Sequence, residues 1–223
     1  MAINLRNTND VHVNGVKILV HGMSGSGKTT LIATLPKPLV LSAEAGLLSI
    51  AGSNIDYLQI KSIADLTDAY SFVMEHLTDY EAICLDSISE IAEQILSFEK
   101  KNNKDPRAAY GNLQEQMGDF IRSFRDLDGV NVYFSSKTEK ITDNDGRIMY
   151  APSLPGNKTS QQLPYFFDEV LALRVEKDEA GNSMRIIQTD ADGVWSAKDR
   201  SGKLDMWEQP HLGDIINKIK GVN

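Results

Sequence analysis

Residues 22–30 read GMSGSGKTT, and no other stretch of the chain limits its folding choices so sharply. A flexible linker can have this composition. A linker is not held between an apolar run, VKILVH at 16–21, and a helix-forming run that Pro36-Lys37-Pro38 stops. Gly22, Gly27, Lys28 and Thr29 fill the pattern G-x-x-x-x-G-K-[ST] completely. Glycine lets the backbone wrap closely around an anion, so the amides of Gly22, Ser24, Gly25, Ser26, Gly27, Lys28, Thr29 and Thr30 are the expected cradle for phosphate oxygens. A helix starting near Lys28 would aim its positive end at the same anion. Lys28 would reach the β- and γ-phosphates, and the Thr29 hydroxyl would ligate Mg²⁺. The expectation is a site for ATP and Mg²⁺.

Such a cradle needs further groups. Asp86 ends the apolar run AICLD, where a second metal-holding carboxylate is expected; Ser87-x-x-Glu90 behind it reads as a capping box. Glu44, in LVLSAEAGL, follows the strand after the first helix and could orient or deprotonate a water. Lys137 follows VNVYFSS and would emerge at the same edge, to sense the γ-phosphate or to contact a polymer. Lys198, Arg200 and Lys203 form a basic turn that is either a charged hairpin tip or, through Arg200, a finger toward a neighbouring subunit's nucleotide. Residues 102–105 read NNKD rather than N-K-x-D, so guanine specificity has no support.

Short apolar strands at 16–21, 38–42, 55–60, 81–86 and 130–136 alternate with helical patterns. One helical face is marked by Ile63, Leu66, Tyr70, Val73, Met74 and Leu77, a second by Ile88, Ile91, Ile95 and Phe98, a third by Leu113, Met117, Phe120, Ile121, Phe124 and Leu127. Strands that are apolar on both faces and separated by helices imply an α/β fold with a mostly parallel sheet flanked by helices. DEVLALRV and MRIIQTD read as paired antiparallel strands at its C-terminal edge, and a last helix falls near 211–219. The expected organisation is a single domain over 1–223. It has an N-terminal extension at 1–13, a long polar loop at 137–163 and a basic turn and helix at 191–223.

The 223 residues carry a net charge of −8, which argues against a generally sticky nucleic-acid binder but leaves room for a local basic surface. A single cysteine, Cys84, rules out an internal disulfide, and the four histidines lack metal-ligand spacing. MAINLRNTND lacks the apolar core of a signal peptide, so a cytoplasmic protein is expected.

In their order these features resemble the RecA-like P-loop ATPases, and most closely the short RecA-core proteins of bacteriophages associated with single-strand annealing and recombination. LVLSAEAGL resembles the strand ending in the family's catalytic glutamate, AICLDSISEI its strand-Asp-Ser-helix unit, and VNVYFSSKTEK the strand entering its second DNA-binding loop. SQQLPYFFDEVLALRV resembles the segment leaving that loop. The resemblance implies a Mg-dependent ATPase stimulated by single-stranded DNA. It also implies a homo-oligomer, ring or filament, that works in the host cytoplasm with a single-strand DNA-binding protein as a further partner. It makes 137–163 the DNA candidate, with Lys140, Arg147 and Lys158 supplying charge and Tyr150 and Tyr165 stacking on bases, while Glu139, Asp143 and Asp145 dilute that charge. KDPRAAYGN at 104–112 is a second polar segment, in which Arg107 and Tyr110 could touch DNA or a neighbouring subunit. Lys137 stands where larger relatives place a glutamine. Two other readings stay open at this point: a P-loop kinase acting on a small molecule, and a nucleotide-gated interaction protein that binds no DNA.

Overall fold

A computed structural model describes residues 15–44, 46–142 and 145–222. The expected extension at 1–13 and Asp143 lie outside the described residues. Six strands run parallel: β1 (Lys17–Gly22), β2 (Pro38–Ser42), β3 (Asp56–Gln59), β4 (Ala82–Asp86), β5 (Asn131–Thr142) and β7 (Glu169–Lys177). β6 (Ile148–Ser153) pairs antiparallel with β5, and β8 (Ser183–Gln188) antiparallel with β7. β9 (Lys198–Asp199) and β10 (Trp207–Glu208) are two-residue antiparallel additions to β7 and β8. The main strand order is β10-β8-β7-β1-β5-β4-β2-β3. β5 therefore separates the strand that carries the glycine-rich loop from the strand that ends in Asp86.

Two apolar layers explain why the strands read as nearly unbroken hydrophobic runs. Ile18 and Val20 of β1, with Ala82 and Cys84 of β4, pack on one face against α1 (Lys28–Ile32) and α6 (Leu212–Lys220). Leu19, Ile83, Leu85 and Phe134 pack on the other against α2 (Ile63–Glu75), α3 (Ile88–Asn102) and α4 (Pro106–Arg125). Alternate residues serve opposite faces, and both faces are covered.

Three expectations need correction. First, 137–163 is not a loop. β5 continues to Thr142 and turns back at Gly146 into β6, after which α5 (Asn157–Gln162) follows. The alternation in TEKIT and IMYAPS supports pairing, and the turn residue before Arg147 is a glycine with φ 79°. Second, the polar segment 104–112 is helical from Pro106 on, with Arg107 and Tyr110 exposed; the Asp105 side chain accepts from the Arg107 amide at 2.9 Å and Pro106 takes the first position of α4. Third, Phe98 is exposed and Glu99 is buried instead. The Glu99 carboxylate accepts amide donors from Asn103, Asn112 and Gln116 at 2.7–2.8 Å, which fastens α3 to α4 and holds its pKa below the usual range.

Candidate nucleotide site

The glycine-rich loop leaves the C-terminal end of β1. A side chain on Gly22 would come within 2.5 Å of Ser26 Oγ and 2.8 Å of the Leu173 carbonyl oxygen, so only glycine fits there. Gly27 takes φ 104°, in the left-handed region. Ser26 is 2% exposed, and its Oγ has no hydrogen-bond partner among the described residues. A tight turn with an unsatisfied buried hydroxyl suits a ligand that brings hydrogen-bonding oxygens. α1 is only five residues long, so its aligned peptide dipoles add less than a full helix would. The loop amides and nearby cations must supply most of the attraction for an anion.

Lys28 is half-buried and donates to the carbonyl oxygens of Gly22 at 2.9 Å and Met23 at 3.2 Å. Burial lowers its pKa, with the Glu44 and Asp86 carboxylates opposing that shift. The α1 backbone below it is pinned by the buried Tyr133 hydroxyl, which donates to the Lys28 carbonyl at 2.8 Å. Thr29 Oγ1 donates to Asp86 Oδ2 at 2.6 Å, and the other Asp86 oxygen accepts from the Ser135 hydroxyl on β5. Asp86 is 2% exposed, and burial raises its pKa against the lowering effect of those two hydrogen bonds. A hydroxyl and a buried carboxylate converging beside a phosphate cradle are the oxygen donors that Mg²⁺ takes, one or two from protein.

Glu44 stands at the same strand ends. Its backbone amide and that of Ala43 both reach the Asp86 carbonyl oxygen, at 3.3 and 2.9 Å, and Ser42 Oγ donates to the Glu44 carbonyl at 2.8 Å. The Ser87 hydroxyl donates to Glu44 Oε1 and also accepts from the Glu90 amide as the cap of α3. The Glu90 carboxylate turns away to Lys137, so only half of the expected capping box forms.

Lys137 is paired in register with Gly22, at the same edge. Its ammonium binds Glu93 at 2.7 Å and lies 3.5 Å from Glu90, which raises its pKa and directs it toward α3 rather than into the glycine-rich loop. Lys198 donates to the carbonyls of Pro164 and Phe167, and Arg200 pairs with Asp168 at 2.7 Å. Both lie beside Glu169, the first residue of β7, at the end of the sheet opposite the glycine-rich loop. Within its own chain Arg200 therefore cannot reach the site, and only a contact between subunits leaves it a role.

Sequence reasoning missed two residues. Arg185 of β8 donates through Nε to the Ser26 carbonyl oxygen at 2.8 Å. A long-range strand pairing brings it there, and no local pattern announces it. His21, the residue before Gly22, is fully buried between Thr138 Oγ1 at 2.9 Å and the Ser196 carbonyl at 2.7 Å. The carbonyl can only accept, so Nε2 carries the proton and Nδ1 accepts from Thr138. Burial pushes its pKa down to about 4.

The hairpin β5–β6 and α5 border a groove of about 990 Å³ lined by Glu139, Lys140, Pro152, Lys158, Gln161 and Tyr165. Lys140 and Lys158 are exposed, as is Tyr165 at 81%. One face of Tyr150 is already taken: its ring lies 4.5 Å from that of Trp195, and its backbone exchanges hydrogen bonds with Val194 and Ser196. Arg147 is exposed, on the far part of the hairpin.

Fold and site together define a RecA-like P-loop ATPase: a mostly parallel sheet flanked by helices, with antiparallel C-terminal edge strands and a Walker-type phosphate loop. The AAA domain family matches residues 14–201, and the chain belongs to it. No curated protein matches the chain. Among solved structures it is similar to a KaiC-like protein of the hyperthermophilic archaeon Pyrococcus horikoshii, at 14% identity, 78% coverage of each chain and a TM-score of 0.44. No helix among the described residues is long and apolar enough to cross a membrane.

Proposed function

We propose that this chain is a Mg-dependent ATPase that binds single-stranded DNA and serves homologous recombination by annealing or pairing strands, as its resemblance to the short phage proteins implies. In this reading Gly22 to Thr30 hold the triphosphate, with Lys28 at its β- and γ-phosphates, and Thr29 and Asp86 hold the magnesium. Magnesium, when bound, offsets charge that develops on the phosphate oxygens. Glu44 positions a water and accepts its proton, and Ser87 holds the carboxylate in place through its hydroxyl.

One observation carries the DNA part. The groove beside the hairpin combines Lys140, Lys158 and exposed Tyr165 with neutral amides, and among the described residues that line it Glu139 alone opposes them in charge. A −8 chain can hold a polyanion only where cations gather in this way. Each phosphate neutralised on a single strand contributes about 0.7 to the slope of log affinity against log salt. Two or three contacts per subunit give weak binding alone, so affinity should grow with strand length as neighbouring subunits bind cooperatively.

The test is ATP turnover with and without single-stranded DNA, together with filter binding across a salt series. Stimulated turnover, and a shallower salt slope for Lys140→Ala with Lys158→Ala at unchanged nucleotide affinity, support the proposal. Equal, salt-insensitive binding by parent and double variant, or no binding at any strand length, leaves an ATPase whose partner is not DNA.

A further inference from the structure

We infer that Arg185 is a phosphate ligand of the nucleotide site, delivered by the edge strand β8 from outside the glycine-rich loop. The inference rests on the reading of that loop as a triphosphate cradle and adds a residue that no motif contains. Arg185 faces Val175 in the β7–β8 ladder, two positions beyond Leu173, whose carbonyl closes on Gly22. From there its side chain lies along the loop. Nε donates to Ser26 O at 2.8 Å, and a side chain on Gly27 would meet Arg185 Nε at 3.0 Å and Cδ at 3.3 Å. Gly27 thus does two things: it adopts a left-handed φ, and it leaves room for the guanidinium.

The partners of Arg185 leave its charge unmatched. Arg122, Arg125, Arg174 and Arg200 each pair with a carboxylate, whereas Arg107, on α4 away from the loop, shares with Arg185 the lack of an ion pair among the described residues. Arg185 forms no ion pair among the described residues, and its one hydrogen bond goes to a backbone carbonyl. A guanidinium has five N–H donors in a fixed plane, and the Ser26 carbonyl uses the one on Nε. The two terminal amino groups remain to be satisfied by solvent or by an incoming anion. An exposed cation gains little by itself, and here it flanks the loop that also holds Lys28. A polyphosphate entering the loop reverses that balance, because planar bidentate pairing with phosphate oxygens is the contact a guanidinium makes best. Nε on Ser26 fixes the fork before the anion arrives, which lowers the ordering cost of binding.

Titration calorimetry with Mg-ATP, and separately with inorganic tripolyphosphate, tests the inference on parent, Arg185→Gln, Arg185→Lys and Lys28→Ala. Tripolyphosphate has no base, so it isolates the phosphate contact from stacking of the guanidinium on a purine. Arg185→Gln should lose about tenfold or more in affinity for both ligands. Arg185→Lys should regain part of that loss, and the ligand-free melting temperatures should match the parent. If Arg185→Gln binds tripolyphosphate like the parent, the inference is wrong, even where Mg-ATP binding weakens. If Arg185→Lys is no better than Arg185→Gln, or if the ligand-free protein melts lower by an amount that accounts for the loss, Arg185 is a clamp on the loop and not a ligand. If Lys28→Ala loses affinity and Arg185→Gln does not, the cradle stands and Arg185 alone is excluded. A parent that binds neither ligand overturns both.

Discussion

Thr29 and Asp86, 57 positions apart, are joined by a 2.6 Å hydrogen bond at the mouth of the glycine-rich loop. The hydroxyl occupies the carboxylate oxygen that a cation would take, and the other oxygen is held by Ser135. Asp86→Asn keeps the shape of the side chain and removes the charge; its amide oxygen still accepts from one hydroxyl, while its nitrogen donates to the other, which must turn round. The variant should fold, and its ATP affinity should be nearly the same in magnesium and in EDTA, whereas the parent binds more tightly in magnesium. A magnesium dependence equal to the parent's would place the metal elsewhere.

Lys28→Ala should abolish detectable nucleotide binding without loss of stability. The ammonium is half-buried on two carbonyls and its pKa is lowered by desolvation, so removing it relieves a charge that the ligand-free fold does not favour. Circular dichroism melts and nucleotide titration on one preparation check both halves. Retained ATP affinity would dismiss the cradle.

Glu44→Gln separates binding from chemistry. The amide retains an oxygen to accept from Ser87 but cannot take a proton from water. Mg-ATP affinity should stay within a few-fold of the parent while turnover falls about a hundredfold or more, the usual contribution of a general base. Turnover at the parental rate would assign the water to another residue.

Glu169 gives the fold a pH dependence of its own. It is buried at the start of β7, its Oε2 has no hydrogen-bond partner among the described residues, and burial, with Asp199 beside it, pushes its pKa up to about 8 from 4.5. The folded chain therefore holds this proton at pH values where the unfolded chain has released it. The stability this contributes is complete below about pH 4.5 and is lost as the pH rises toward 8, with a slope of at most about 1.4 kcal/mol per pH unit. His21 has the opposite sign: its pKa of about 4 against 6.5 means its contribution is lost as the pH falls through that window. The two oppose each other from 4.5 to 6.5, and Glu169 acts without His21 from 6.5 to 8. Glu169→Gln, which still donates to Asp199, should lose the decline in stability between pH 6.5 and 8. Urea melts at half-unit intervals measure it, and parallel profiles for parent and variant would refute it.

The parts of the site that were legible in the sequence are those built from neighbours in the chain. The loop from Gly22 to Thr30 declares itself through spacing, and Asp86 and Glu44 through their places after apolar runs. The alternation of strands and helices was legible for the same reason, since two-sided burial makes a parallel strand apolar throughout. What escaped depends on partners far away in sequence. Arg185 reaches the loop only because β8 folds back on β7. Tyr150 reads as a free ring until Trp195 stacks on it. Lys198 reads as part of a charged tip or a basic finger until the carbonyls of Pro164 and Phe167 accept hydrogen bonds from its ammonium. The polar hairpin was misread for a different reason: half its residues face water, and the alternation that marks it is short.

β5 is one unbroken strand. Its first half, Asn131–Ser136, is locked in the core; its second half, Lys137–Thr142, carries the hairpin. That second half is tied down as well, by Thr138 on His21 and by Tyr150, the partner of Lys140, on Val194 and Ser196. Mechanically this is a push-rod and not a free arm: the strand passes Gly22 at Lys137 and keeps its line as far as Lys140. A displacement of the phosphate loop would thus reach the edge of the groove along one strand, with no hinge loop between them. A glycine pair at Lys137 and Thr138 would uncouple its two ends.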